Sequence, residues 1–182
     1  MPSIVVPLAE GVEEMEAVIV IDVLRRASLD VVSAAIGDSR TVTASRGVVL
    51  LADTLWSSIV PNNYDAIVLP GGAGGSERLC EHTGVLEAIR GFHSEAKLVA
   101  AVCAGPLALQ AAGVLTDCAA TCHPAVAKQL TATSRRTERV VRDGNVITSQ
   151  GPGTTFEFAL AIIEQLCDRE AVSAVADGLI LP

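Results

Sequence analysis

The sequence has few aromatic side chains and a shortage of positive charge. Its 182 residues include three Phe, one Trp and one Tyr, and 13 Lys and Arg stand against 21 Asp and Glu, for a net charge of −8. Nucleic-acid binding draws on basic patches and, for single strands, on stacking surfaces. We therefore expect no nucleic-acid partner and favour a small molecule.

A long apolar run is also missing. Half of the chain is hydrophobic, yet no run approaches the roughly 20 residues of a membrane-spanning helix, so we expect no membrane partner. The first residues, Met1–Ile4, lead into a strand-like run without a basic segment or cleavage signal, which predicts a cytoplasmic protein. The length suits a single domain over residues 1–182.

Paired cysteines are the third absence. The chain has an odd set of five, namely Cys80, Cys103, Cys118, Cys122 and Cys167. A reducing compartment would keep them as thiols. Cys118 and Cys122 lie beside His123, but zinc sites usually use two compact ligand pairs and the second is missing, so no metal is expected.

Short β-rich runs alternate with helical stretches along the chain. The strand-like runs are Ser3–Ala9, Asp30–Ile36, Thr41–Ser45, Val48–Ala52, Asp65–Pro70, Leu98–Val102, Arg139–Arg142 and Val146–Ser149, and the helical ones are about Glu14–Ala27, Leu107–Ala112, Ala125–Leu130, Thr154–Leu166 and Asp168–Ala176. Continuous apolar runs are typical of parallel strands covered on both faces. Asp143-Gly144-Asn145 predicts a hairpin. The order predicts a doubly wound α/β fold, with a mostly parallel sheet and helices on both faces.

Three turns should meet at the carboxyl edge of this sheet, where such folds bind ligands. They are Glu10–Glu16, Gly71–Gly75 and Cys103–Pro106. The third places Cys103 between a strand and a helix whose first turn contains Pro106. Backbone N–H groups at a helix start favour thiolate and should lower the pKa of Cys103 below about 8.5. The alternative is a buried structural cysteine, but the small, turn-forming neighbours favour a nucleophile.

Glu16 falls on a core-facing stripe of the first helix. Its stripe neighbours are Val20, Val23, Leu24 and Ala27. A carboxyl buried there would have a raised pKa and could stay protonated, as a hydrogen-bond donor to a thiolate. Alternatively, Glu16 joins Glu13 and Glu14 in decorating a helix N-terminus, where acids are favoured. Spacing alone leaves the two interpretations open.

The glycine turn and His123 are less specific. Counted from Gly72, the turn lacks the final glycine of a dinucleotide-binding fingerprint. Its backbone N–H groups, at Gly71 and Gly72, could instead face an oxyanion beside Cys103, or the glycines could simply make a turn. His123 is as consistent with a capping or packing residue as with a base.

Several segments in combination resemble the ThiJ/PfpI superfamily, and specifically its parkinsonism-associated deglycase ("DJ-one") branch. They are Gly11–Glu16, Asp22–Arg26, Val68–Gly72, Ala101–Pro106 and Ser149–Ala159. The resemblance runs along nearly the whole chain. It implies a flavodoxin-like fold, a homodimer with active sites near its interface, and cofactor-independent activity on 2-oxoaldehydes.

By this resemblance, Cys103 matches a nucleophilic and oxidisable cysteine, Glu16 its protonated carboxyl partner and His123 a nearby histidine. Gly72 and Ala104 match backbone donors at the site. The resemblance also selects Glu16, and not Glu13 or Glu14, as the carboxyl partner of the cysteine. A further match places Arg46 near the neighbouring subunit's site.

The implied function is a glyoxalase of the glyoxalase III type, which converts methylglyoxal to lactate, or a protein deglycase. The alternative is an oxidative-stress sensor or chaperone in which Cys103 is oxidised to a sulfinate. A cysteine protease or amidotransferase is less favoured, because Ala104 replaces the histidine or glycine of those relatives and no His-x-Glu pair follows His123. Regulatory cysteines of better-known members are replaced by Ala44 and Leu51.

Overall fold

A mostly parallel seven-stranded sheet organises the fold in the computed structural model, which describes residues 1–181. The strands are β1 (Ser3–Leu8), β2 (Asp30–Ala35), β3 (Thr41–Thr43), β4 (Val49–Leu51), β5 (Thr54–Leu55), β6 (Ala66–Leu69), β7 (Leu98–Val102), β8 (Ala119–Ala120), β9 (Ser134–Arg135), β10 (Val140–Asp143) and β11 (Val146–Ser149). The helices are α1 (Glu14–Arg26), α2 (Ala73–Glu81), α3 (Thr83–Ser94), α4 (Pro106–Ala111), α5 (Thr155–Leu166) and α6 (Arg169–Gly178). Pro182, the last residue of the predicted domain, lies outside the described residues.

The strand order is β10-β11-β7-β6-β1-β2-β5, and β10 is antiparallel to β11 while the other neighbouring pairs are parallel. The doubly wound α/β fold predicted from the sequence is confirmed. None of the helices among the described residues is long and apolar enough to cross a bilayer.

The central strands are buried on both faces, as their continuous apolar runs predicted. Along β1, Ile4 and Val6 belong to the core cluster on one face of the sheet and Val5 to the cluster on the other, because successive side chains in a strand point to opposite faces. Helices α1, α5 and α6 supply the first cluster, and α2, α3 and α4 the second. Burial of these faces is the main stabilising contribution to the fold.

Most predicted elements are present. The hairpin prediction is confirmed, since β10 and β11 pair across a turn in which Gly144 has φ +58°. Three strands of only two residues, β5, β8 and β9, were not predicted. The predicted glycine turn ends at Gly72, because α2 begins at Ala73.

The predicted helix Ala125–Leu130 is wrong. Only a short 3-10 helix, Pro124–Val126, forms there. Tertiary contacts hold the following backbone instead, because the Gln110 side chain accepts hydrogen bonds from the N–H groups of Thr131 and Ala132 and donates to the carbonyl of Gln129.

The β3–β4 hairpin lies outside the central sheet, and its loop reaches the carboxyl edge of β1. The Thr43 carbonyl accepts a hydrogen bond from Gly11 N at 2.8 Å, and the Val12 carbonyl accepts one from Ser45 N at 2.8 Å. The carboxylate of Glu14 binds Ser45 Oγ at 2.7 Å and Arg46 N at 2.8 Å. These contacts fix the segment that carries Arg46.

Candidate active site

A cleft of about 570 Å³ opens at the carboxyl edge of the sheet. It is lined by Gly11, Glu13, Ser45, Arg46, Gly72, Ala73, Gly74, Cys103, Ala104, His123, Ala125, Val126 and Pro152. The three predicted turns therefore do meet. The structure adds Pro152 after β11 and the β3–β4 loop, whose Arg46 the resemblance placed near a neighbouring subunit's site.

Cys103 occupies a strained elbow directly after β7. Its φ of +63° lies in the left-handed region, which costs a non-glycine residue about 1–2 kcal/mol. The surrounding backbone enforces this conformation. Cys103 N donates to the Ser149 carbonyl at 3.0 Å, and the Cys103 carbonyl accepts from His123 N at 2.9 Å. The half-buried side chain thus faces the cleft at a fixed position.

Backbone N–H groups converge on the thiol sulfur. Gly72 and Ala104 both donate hydrogen bonds to Cys103 Sγ, as the resemblance implied for these two positions. Gly71 differs from the prediction. Its N–H donates to Glu16 Oε2 at 2.7 Å, and it is not among the cleft-lining residues. Gly71 therefore holds the carboxyl rather than offering an oxyanion donor.

Gly71 and Gly72 lie so close to neighbouring segments that neither position has room for a side chain. Gly72 has φ +91°, and a Cβ there would lie 2.3 Å from the Gly11 carbonyl oxygen. A Cβ on Gly71 would lie 2.6 Å from Cys103 Cβ and 2.7 Å from Glu16 Oε2. Any side chain at either position would push the turn away from the thiol.

Gly72→Ala is expected to lower the free energy of unfolding by about 3 kcal/mol, because it combines backbone clash with an unfavourable φ. Urea unfolding measures the change. The matched control is Gly91→Ala in α3, where a Cβ meets nothing within 4 Å and helix propensity predicts a gain of about 0.5–1 kcal/mol. Equal stability of the Gly72 variant and the wild type would contradict this account.

Glu16 is fully buried beneath the cysteine. Its Oε2 accepts from Gly71 N, and its Oε1 has no hydrogen-bond partner among the described residues. The Cys103 thiol lies close enough to the carboxyl to lower its pKa. Burial raises the pKa of Glu16 to about 7, with a smaller contribution from the charge of Glu13. This agrees with the buried, readily protonated carboxyl that the helix stripe suggested.

The expected direction for the thiol is wrong. Burial, followed by the charge of ionised Glu16 and its hydrogen bond, raises the pKa of Cys103 to about 12, and the Gly72 and Ala104 N–H groups only partly oppose this. The physical reasons are burial of the thiol and the neighbouring carboxylate, neither of which the local sequence around Cys103 encodes. The two groups titrate as a pair. A proton held on Glu16 removes both carboxylate contributions, so protonation of Glu16 lowers the pKa of the thiol, which burial still raises.

The other two acids of the α1 start have distinct positions. Glu13 caps α1, since its Oε2 accepts from Glu16 N at 2.7 Å, and it lines the cleft. Glu14 binds the β3–β4 loop, and hydrogen bonds from Ser45 and from backbone N–H groups lower its pKa against the opposing effect of desolvation. The acidic run at the start of a helix indicated capping, but only the tertiary structure shows which group each carboxylate binds.

His123 also lines the cleft. Its Nδ1 accepts from Ala125 N at 3.1 Å, which caps the 3-10 helix. In the neutral ring the proton is then on Nε2, which remains available as a donor. A Cβ on Gly151 would lie 3.1 Å from the ring Cδ2, so Gly151 leaves space for the ring. His123 is thus both a capping residue and part of the cleft lining.

Arg46 is exposed and lines the cleft of its own chain. Its predicted position near a neighbouring subunit's site stays a prediction. All five cysteines are unpaired. Over residues 1–181, no group of three or more His, Cys, Asp or Glu side chains is placed to hold a metal ion, the Cys118, Cys122 and His123 segment included.

A comparison with protein families decides the relationship. The sequence pattern of the DJ-1/PfpI family matches residues 2–165 of this chain. The chain belongs to the DJ-1/PfpI family.

Curated relatives agree with this assignment. Protein dj-1beta of Drosophila melanogaster is 42% identical over 98% of this chain and 97% of its own length. Protein DJ-1 homolog B of Arabidopsis thaliana is 48% identical over 93% of this chain, and the chain spans 39% of that relative's length. A Caenorhabditis elegans relative, named glutathione-independent glyoxalase DJR-1.2, is 34% identical over 94% of this chain and 92% of its own length.

Solved structures share the fold over the whole chain. The crystal structure of Drosophila melanogaster DJ-1beta matches with a TM-score of 0.96 at 42% identity, covering 100% of this chain and 98% of that one. Toxoplasma gondii DJ-1, in an oxidized form, matches with a TM-score of 0.95 at 38% identity, covering 100% of this chain and 99% of that one.

Proposed function

We propose that this DJ-1/PfpI protein is a cofactor-independent glyoxalase that converts methylglyoxal to lactate through Cys103. The observation that carries the proposal is the thiol–carboxyl pair, in which buried Glu16 lies beside a cysteine held in a strained elbow that opens into a cleft. The name of the Caenorhabditis elegans relative supports this choice.

In the first step, the Cys103 thiolate adds to the aldehyde carbon and forms a C–S bond. The carbonyl π electrons move to oxygen, and the resulting alkoxide takes a proton to give a hemithioacetal. Negative charge leaves the sulfur in this step, and the Gly72 and Ala104 N–H groups that face the sulfur would then donate to the new oxyanion.

In the second step, a base removes the proton from the former aldehyde carbon, and the adjacent ketone carbon is protonated. This internal redox change needs no cofactor and leaves a 2-hydroxy thioester. We propose Glu16 for this transfer, because its pKa of about 7 lets it accept and donate a proton near neutral pH. His123 is the second proton-transfer candidate. Hydrolysis of the thioester releases lactate and restores the thiol.

The direct test is lactate formation from methylglyoxal by purified protein without glutathione or metal, followed by chiral chromatography. A DJ-1/PfpI protein with this mechanism yields one lactate per methylglyoxal consumed. Disappearance of methylglyoxal without lactate would count against it, because adduct formation alone also consumes the aldehyde. Deglycase activity on glyoxal adducts would use the same thiol chemistry and is tested with an isolated adduct.

We propose oxidation sensing at Cys103 as the second candidate function. A Toxoplasma gondii DJ-1 structure of the same fold is described as oxidized, and here the sulfur already receives hydrogen bonds from Gly72 and Ala104. Mild peroxide is expected to add two oxygens to Cys103 while exposed Cys167 reacts more slowly, as measured by peptide mass spectrometry. Equal oxidation of the two cysteines would remove the basis for a sensor.

A homodimer is also proposed. Four large apolar side chains on α1 and β4 are exposed to between 49% and 69%, namely Met15, Val18, Val49 and Leu51. Val18 and Leu51 line one shallow groove together, so the exposed surface is continuous across the two elements. Such an apolar surface is typical of an interface between subunits. Its neighbour is the loop that carries Arg46.

Val18→Arg is expected to convert the dimer to a monomer at micromolar concentration, because a charge placed in an apolar interface loses its hydration without gaining a partner. Light scattering coupled to size exclusion measures the mass. Val60→Arg is the matched control, since Val60 is also exposed but lies between β5 and β6. A monomeric wild type, or equal dissociation of both variants, would contradict the proposed interface.

A further inference from the structure

A second cleft of about 380 Å³ lies beside the one above Cys103, and we call it the side groove. The two clefts share Ala73, Ala104 and Val126. Because the Ala104 N–H points at Cys103 Sγ, the side groove begins where a substrate bonded to sulfur would sit. Methylglyoxal is too small to use both clefts, whereas a longer substrate can extend from one into the other.

The side groove is acidic. Glu77 and Glu81 line it from α2, and neither side chain has an ion pair or hydrogen bond among the described residues. Arg78 lies between them in the sequence, but its guanidinium donates to the Gly74 carbonyl and it does not line the groove. Like charges four residues apart on a helix repel each other and destabilise it. A cationic ligand would offset this repulsion.

Two further residues of the groove are consistent with a polar occupant. Ser76 lines the groove, is 2% exposed, and its Oγ has no hydrogen-bond partner among residues 1–181. An unpaired buried hydroxyl is destabilising, and a polar group of a ligand would offer it a partner. Cys80 also lines the groove, and burial, followed by the charges of Glu81 and Glu77, raises the pKa of its thiol.

We propose that the side groove is a subsite for the cationic end of an extended substrate, a 2-oxoaldehyde or its adduct that carries a positively charged nitrogen group remote from the reacting carbonyl. The apolar residues shared by the two clefts contact the connecting part, and the carboxylates of Glu77 and Glu81 bind the cation. This inference rests on the proposed function for the reaction at Cys103. The inference adds to that function a preference for substrates that carry a positive charge.

The test uses reagents that label Cys103 whether or not the protein turns over an aldehyde. Three methanethiosulfonates form the same kind of disulfide with a thiol and release methanesulfinate, and they carry a trimethylammonioethyl, a methyl or a sulfonatoethyl group. Rates at the Cys103 peptide are divided by the rates with 2-mercaptoethanol. All proteins carry Cys80→Ala, so that the groove thiol does not react first.

The ratio of cationic to anionic rates is expected to fall about five-fold or more in Glu77→Gln/Glu81→Gln at physiological salt. The control, Glu87→Gln/Glu170→Gln, removes the same net charge from exposed acids on α3 and α6 and should change the ratio less than two-fold. An unchanged ratio in the groove variant, or an equal change in the control, would overturn the subsite.

Turnover supplies a second measurement. Phenylglyoxal with a 4-trimethylammonio group should show a higher kcat/KM than its 4-carboxylate counterpart, and the preference should shrink in Glu77→Gln/Glu81→Gln but not in the control pair. If neither these compounds nor methylglyoxal is turned over, the proposed function fails, while the labelling ratio still decides whether the groove selects cations.

Discussion

Cys103→Ala is expected to reduce lactate formation from methylglyoxal by at least about four orders of magnitude, because no other group in the cleft can form the covalent intermediate. His123 is also a nucleophile in principle, but its Nδ1 is used by Ala125 N. The variant should remain folded, since alanine keeps the backbone hydrogen bonds of the elbow. Steady-state assays with both methylglyoxal and lactate quantified measure the loss.

Cys167→Ala is the control for general effects of removing a thiol, because Cys167 is exposed at the end of α5. Its turnover should stay within about two-fold of the wild type, as for most surface substitutions. Retained activity in Cys103→Ala would exclude the thiol mechanism altogether. Retained activity together with loss of peroxide sensitivity would favour the sensor function for this cysteine.

Glu16→Gln is expected to lower kcat/KM for methylglyoxal by about 10²–10³-fold, the usual contribution of a general acid–base group. Glutamine keeps the shape of the side chain and can still accept the Gly71 hydrogen bond, but it cannot release and regain a proton. A loss confined to KM would show that Glu16 acts by positioning substrate, and this would contradict the proton-transfer role.

The same substitution should also remove a pH dependence of stability that the ionisation of Glu16 causes in the wild type. In the folded protein the pKa of Glu16 is about 7, against about 4.3 for an unfolded chain. Between these values the folded state binds more protons than the unfolded state, so stability falls as pH rises. The loss amounts to roughly 3 kcal/mol between about pH 4.5 and pH 7.5.

Urea unfolding at pH 5 and pH 8 measures this loss as the difference between the wild type and Glu16→Gln, which should lack it. Glu87→Gln, at an exposed carboxyl on α3, should follow the wild type. A parallel pH dependence in the wild type and Glu16→Gln would show that Glu16 is not held in an environment that disfavours its charge. In such a DJ-1/PfpI protein, the burial that lowers stability near neutral pH also gives the carboxyl a pKa suited to proton transfer.

Local patterns were sufficient for much of the fold and for the turn that carries Cys103. Continuous apolar runs predicted β6 and β7, whereas the helix stripe left two interpretations of Glu16 open, burial in the core or a place at the helix N-terminus. The turn after Leu98–Val102 indicated a cysteine in an unusual backbone setting. These features follow from side-chain periodicity and turn chemistry, which act over a few residues. The segment after Pro124 failed because the Gln110 side chain, distant in sequence, binds its backbone.

The sequence by itself determined the doubly wound order of elements and the sharp turn at Cys103, since each depends on neighbouring residues. Only the tertiary structure decided that Glu16 is buried beside the thiol, and that burial and the charge of Glu16 together raise the pKa of Cys103, against the N–H groups that lower it. It also decided that Gly71 holds Glu16 while Gly72 and Ala104 hold the sulfur. The reason is that electrostatic coupling depends on the distance between charges, and segments far apart in the chain set that distance.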